Sequence, residues 1–118
     1  MKWQLLTICT LSLVSYSVMA AEPSDLSARQ QEGKAVYDYL CSRCHAIGQE
    51  GAPRVGHAED WQGRAGFEQQ LLVKHASEGY LGMPASGGES RFDTDAIAAA
   101  VEYMLLRSVG PAVSPQGL

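Results

Sequence analysis

Cys41-Ser42-Arg43-Cys44-His45 sets two thiols three positions apart and places an imidazole directly after the second. Read as C-x-x-C-H, this is the pattern by which a c-type haem is attached. Two thiols so spaced near a helix end lie on one side of one turn, where they can reach the two vinyl groups on one edge of a porphyrin. The following histidine then sits beneath the ring centre. A thioredoxin-type redox pair also uses C-x-x-C but requires a strand–helix context, and the flanking residues show no strand pattern. A zinc site needs a second ligand pair at suitable spacing. The other histidines, His57 and His75, stand at no such spacing. A disulfide between Cys41 and Cys44 would close a tiny loop and leave His45 without a role.

Outward from the motif, the chain reads as all-α. Gly33, Val36, Tyr37 and Leu40 recur at helical spacing, predicting a helix over 27–40 that ends at the motif, which then runs into a loop. Gly48, Gly51, Pro53 and Gly56 mark residues 46–58 as an irregular loop. A helical turn is expected near 59–64, and a helix over 67–77 closed by Gly79. Residues 79–92 form a second glycine-rich loop. Asp93 or Thr94 caps a last helix to about Arg107, with Ile97, Ala100, Val101, Met104 and Leu105 on its apolar face. Three main helices joined by two long loops make an unusual compact domain unless the loops hold something, and a large apolar cofactor would also enlarge a modest core.

The first twenty residues read differently. Lys2 supplies a positive start, the run 5–18 is largely apolar, and Val18-Met19-Ala20 offers a cleavage site. This is the layout of a secretory signal peptide. The apolar run falls short of the roughly 20 residues that span a bilayer, and no second candidate follows, so the mature protein is expected to carry no integral membrane segment. The expected organisation is signal peptide 1–20, flexible leader 21–28, one domain over 29–108 and a flexible tail 109–118, with a periplasmic location. Of 118 residues, 9 are Lys or Arg and 13 Asp or Glu. With no basic cluster, nucleic acid is excluded as a partner.

Six-coordinate iron needs a second ligand. Met104 falls on the apolar stripe of the last helix, where packing explains it. Met83 stands in a loop as Gly82-Met83-Pro84, beside a stiffening proline and flanked by glycine. Met83 is therefore the expected ligand, with His57 and His75 as alternatives. Thioether ligation raises the potential relative to a second imidazole.

These residues together resemble the class I monohaem cytochromes c, and within them the bacterial cytochrome c-five group. The resemblance runs from Gly33 to Leu106. It is carried by Gly33, Tyr37, Cys41, Cys44 and His45 at their spacing, by Gly51-Ala52-Pro53, Trp61-x-x-Gly63-Arg64, Met83-Pro84 and Val101-Glu102-Tyr103-Met104. Many c-five members carry an extra cysteine pair after the methionine loop; here that stretch is Gly87-Gly88-Glu89-Ser90. The resemblance implies a small fold of three main helices wrapped around one covalently bound haem c. It also implies that Gly33 lets the first and last helices approach, against Tyr103. The Pro53 carbonyl would accept the His45 Nδ1 proton, and Trp61 and Arg64 would face a haem propionate. The bland readings are that Trp61 is core and Arg64 a solvated charge. With both axial positions filled, the expected role is single-electron transfer rather than enzymatic catalysis. Ile47, Ala52, Pro84 and Ala85 would form an apolar docking patch for a periplasmic dehydrogenase, reductase or terminal oxidase. The alternatives are a haem subunit docked on a periplasmic dehydrogenase, or a small-molecule-binding haem sensor.

Overall fold

A computed structural model describes residues 26–64 and 69–110. The expected signal peptide, most of the leader, the start of the 67–77 helix and most of the tail lie outside these residues. Among the described residues there is no strand; the backbone is helices, turns and loops.

Helix α1 spans Ala28–Val36. Ser27 is its cap: the hydroxyl accepts from Gln30 N, and the Gln30 side chain accepts in turn from Ser27 N, a reciprocal capping box. The helix does not stop at Leu40. Tyr37–Cys41 forms a π-helical turn, in which Ser42 N–H reaches back five residues to Tyr37 O. Ser42–His45 then continues as α2. The haem-attachment motif thus lies within the helical run and not at its entry to a loop. The wider π turn inserts extra backbone ahead of Cys41 and so resets which way the motif faces, a common device at functional sites.

After His45 the chain folds back on the helix end. Gly48 N bonds to Cys44 O at 2.9 Å and Val55 N to His45 O at 2.8 Å. A 3-10 turn at Ala58–Trp61 follows. Helix α3 spans Gln69–Glu78, and α4 spans Thr94–Val109, two residues beyond the sequence expectation. Asp93 caps α4, its carboxylate accepting from Ala96 N at 2.9 Å.

α4 is the spine of the core. Ile97, Ala100, Val101, Met104 and Leu105 are all buried, as are Ala99 and Tyr103. α1 crosses it at Gly33. A Cβ built at Gly33 would stand 2.1 Å from Ala99 O and 3.1 Å from Tyr103 Cβ. The tight neighbour is therefore the Ala99 backbone, with Tyr103 beside it. Tyr37 and Tyr103 rings flank the crossing with centroids 5.5 Å apart. Arg29 clamps the same face, its Nε and Nη2 bonding both carboxylate oxygens of Glu102 at 2.7 and 3.0 Å. Gln69 Nε2 brings α3 to the same carboxylate at 3.1 Å.

Candidate functional site

A cavity of about 550 Å³ opens between these elements. Leu40, Cys41, Cys44 and His45 enter it from the first helical run. Pro53, Trp61 and Arg64 come from the first loop, Leu72, His75 and Ala76 from α3, Met83 and Pro84 from the second loop, and Ile97, Ala100, Val101 and Met104 from α4. The walls are mostly apolar. All seven residues singled out in the sequence as cofactor contacts line this one cavity. His57 does not. Its ring is turned to Glu59, with Nδ1 3.0 Å from the carboxylate. Met104 lines the cavity too, while remaining buried in the core.

His45 is 7% exposed. Its Nδ1 lies 2.9 Å from Pro53 O. A carbonyl only accepts, so Nδ1 carries the proton and Nε2 keeps its lone pair. Burial holds the imidazole below its ordinary pKa, against the Pro53 bond that raises it; nearby Arg64 lowers it further. The ring is therefore a neutral ligand near pH 7.

The loop that presents Pro53 is held by further bonds around Arg54. The Trp61 indole donates to Arg54 O at 2.8 Å. Asp60 receives both the Arg54 backbone N–H at 3.0 Å and its guanidinium at 2.7 Å. These bonds drive the Asp60 carboxyl far below the usual carboxylate range. Trp61 is 4% exposed and stacks near His45, with ring centroids 6.4 Å apart. Its N–H is donated to Arg54 O, which ties the indole to the segment that follows Pro53. Arg64 is exposed, and its Nε donates to Asp60 O at 3.1 Å.

Cys41 and Cys44 are both free thiols. Burial pushes the Cys41 thiol up to about 11, so it is a thiol, not a thiolate, at neutral pH. The residues present fit haem c. An apolar cavity of this size, walled by the core of a small domain, forfeits packing unless filled. It offers two unpaired thiols at the attachment spacing, a neutral imidazole with a free lone pair, and a thioether from a loop.

Two features were not legible in the chain. Leu81 is 87% exposed beside the cavity, and Tyr80 packs face to face on His75. Nothing in the local pattern pairs these two rings or marks the tip of that loop. Ile47, expected in the docking patch, is 72% exposed.

Residues 28–104 match the family model described as cytochrome C oxidase, cbb3-type, subunit III. A cytochrome c-555 of Chlorobaculum tepidum is 39% identical over 80 residues, covering 64% of this chain and 74% of the relative. A cytochrome c-551 of Halorhodospira halochloris is 36% identical over 78 residues, covering 63% and 95%. Among solved structures, the cytochrome c fold recurs in reduced cytochrome c551 of Ectothiorhodospira halophila, with TM-score 0.54, 35% identity and coverage of 64% and 97%. It recurs again in a chain of an electron transfer complex of nitrite reductase with cytochrome c, with TM-score 0.61, 30% identity and coverage of 69% and 95%. Helical architecture, cavity and attachment motif agree with these relatives: the chain belongs to this cytochrome c family, as a small class I electron carrier rather than an enzyme, with haem c as its covalently bound cofactor.

Proposed function

We propose that this protein is a periplasmic single-electron carrier whose one haem is bonded through Cys41 and Cys44 and ligated by His45 and Met83. The observation that carries the reading is the convergence of the attachment thiols, the Pro53-oriented His45 and the loop thioether of Met83 on one apolar cavity. When bound, haem c supplies an iron that gains and loses one electron. The chain's own residues do the rest. Cys41 and Cys44 hold the group covalently. Pro53 O fixes the His45 tautomer and raises its basicity as a ligand. Met83 would hold the group through its thioether from the second loop, which would leave no place for a substrate and would favour the reduced state. Arg64, at the cavity edge, offers a cation to a propionate.

The partner is a redox enzyme of the periplasm, a dehydrogenase, reductase or terminal oxidase. The solved complex of nitrite reductase with a cytochrome c supports a partner of that kind. Exposed Ile47, Pro84 and Ala85 with half-buried Ala52 provide the docking patch, of the small size that weak redox encounters use. Residues 1–20 direct export, and 29–108 form the functional domain between a leader and a tail. No helix among the described residues is long and apolar enough to cross a membrane.

The test pairs two methionines. Met83→Ala should abolish the sulfur-to-iron absorption band of the ferric protein, lower the potential and admit cyanide or carbon monoxide. Met104→Leu should leave the spectrum unchanged and cost less than about 1.5 kcal/mol. A wild-type spectrum in Met83→Ala refutes the ligand assignment. The covalent bond is checked by intact mass, which should exceed the cleaved apoprotein by one haem. Deleting residues 2–20 should give colourless protein; equal haem incorporation would contradict the export reading.

A further inference from the structure

The turn that carries Met83 does not hold itself. Tyr80 N bonds to Met83 O at 3.0 Å and Met83 N to Tyr80 O at 2.9 Å, so the four residues Tyr80–Met83 close a tight two-bond loop. Its first central residue, Leu81, has φ +51°. Turns with positive φ at that position normally place glycine there. Here a leucine occupies it and glycine follows at Gly82. A bulky residue in the left-handed region is strained. Leu81 is also 87% exposed, so no packing at the tip offsets the strain.

What holds the turn comes from α3. The His75 and Tyr80 rings lie face to face, with centroids 3.9 Å apart and planes 9° from parallel. His75 is half-buried on the last turn of α3 and lines the cavity; Tyr80 is 47% exposed. Between them the chain reverses at Gly79, with φ +90°, and Gly79 N bonds to His75 O at 2.9 Å. A Cβ at Gly79 would stand 3.2 Å from Met83 O and 3.1 Å from Ala85 N, so the returning backbone of the loop lies directly on the helix end. The second tie, Ser86 Oγ to Ser77 O, is long at 3.4 Å.

We infer that His75 and Tyr80 are positioning residues for Met83: their stacked rings brace the strained 80–83 turn against α3 and so keep the thioether at the cavity. The inference rests on Met83 being the axial ligand. It assigns His75 a supporting role, not the alternative ligand role that its type suggests. His75 acts through the flat face of its ring, Tyr80 through its ring and its two backbone bonds to Met83. The phenol hydroxyl has no part in the brace.

The experiment uses the holoprotein and two pairs of variants, His75→Ala with His75→Phe, and Tyr80→Ala with Tyr80→Phe. Loss of one aromatic pair should raise the fraction of molecules with the Met83 turn open by roughly 2- to 10-fold. The alanine variants should bind cyanide faster by that factor, weaken the sulfur band and speed amide exchange at Met83 N–H. Exchange within α3 should be unchanged. Both phenylalanine variants, which keep a flat ring, should behave as wild type. Alanine variants identical to wild type in cyanide binding and Met83 exchange would overturn the inference. So would His75→Phe behaving as His75→Ala, because the imidazole nitrogens would then matter and not the stack. Met83→Ala separates this from the ligand reading. If that variant keeps the sulfur band, the ligand assignment fails, while Met83 amide exchange in His75→Ala still reports whether the brace exists.

Discussion

Gly33→Ala would add one methyl group where α1 crosses α4. On an exposed helical position this change stabilises, by about 1 kcal/mol, because alanine restricts the unfolded chain. At Gly33 the new Cβ would stand 2.1 Å from Ala99 O and 2.6 Å from Ala99 C. Both are backbone atoms of the buried spine helix, so no flexible side chain can swing aside. Restoring ordinary contact, at 3.4 Å or more, requires the helices to part by about 1.3 Å at the crossing. That separation also pulls at the Tyr37–Tyr103 contact and the Arg29–Glu102 fork, which straddle it. Overpacking of this kind, backbone shifts included, costs typically about 1–3 kcal/mol, and the lack of any yielding side chain puts Gly33 at the upper end. Less the propensity gain, the net expectation is a loss of about 2 kcal/mol, or roughly 8–16 °C in the melting temperature of a domain this size. Denaturant unfolding of the ferric holoprotein would measure it as a fall in midpoint at constant slope. Ala35→Gly, at an exposed position of α1, is the control and should lose about 1 kcal/mol through propensity alone. A Gly33→Ala protein as stable as wild type, or more so, would refute the close-crossing argument.

Ser108→Ala should cost about 1 kcal/mol, because its buried hydroxyl donates to Met104 O at 2.7 Å and accepts from Gly56 N at 3.1 Å, tying α4 to the first loop; an unchanged denaturation midpoint would remove that link. Asp60→Asn tests the acid limb. The Asp60 carboxyl titrates below its ordinary range in the folded state, so its contribution is present above about pH 4 and is lost as pH falls further. The variant should be less stable at neutral pH and should lose less on acidification; a melting temperature against pH parallel to wild type would contradict this. A double-mutant cycle on Arg29 and Glu102 should give a coupling of about 0.5–1 kcal/mol, since both side chains are partly exposed, and it should shrink at high salt.

Much of the site was readable because its chemistry demands a local pattern. Two thiols and an imidazole must share one turn, so they are adjacent in sequence. Met83 was legible for the opposite reason, as an apolar residue in a loop where nothing in the local pattern calls for one. Pro53 and Arg64 were reached only through resemblance, and no spacing rule would have paired His45 with a carbonyl eight residues on. Trp61 shows the limit of that route. Its burial was foreseeable from its type, but the acceptor for its N–H, Arg54 O, depends on how the loop folds back. The helix that was expected to end at Leu40 instead runs to His45, because a π turn needs no marker residue and left no trace in the hydrophobic period.

Read alone, the chain establishes the helical class, a cap for the last helix at Asp93 or Thr94, the buried stripe of α4 and the attachment motif. Each follows from contacts within one turn, or from a periodicity that a single element carries. Tertiary structure alone decided which histidine meets the cavity, how close α1 approaches Ala99, and what steadies the Met83 turn. Those depend on residues tens of positions apart being brought within a few ångströms, and no local pattern encodes a distance between two elements. His57 and His75 are chemically alike and stand in similar polar surroundings in the sequence. Packing sent one ring out to Glu59 and laid the other against Tyr80 at the cavity wall.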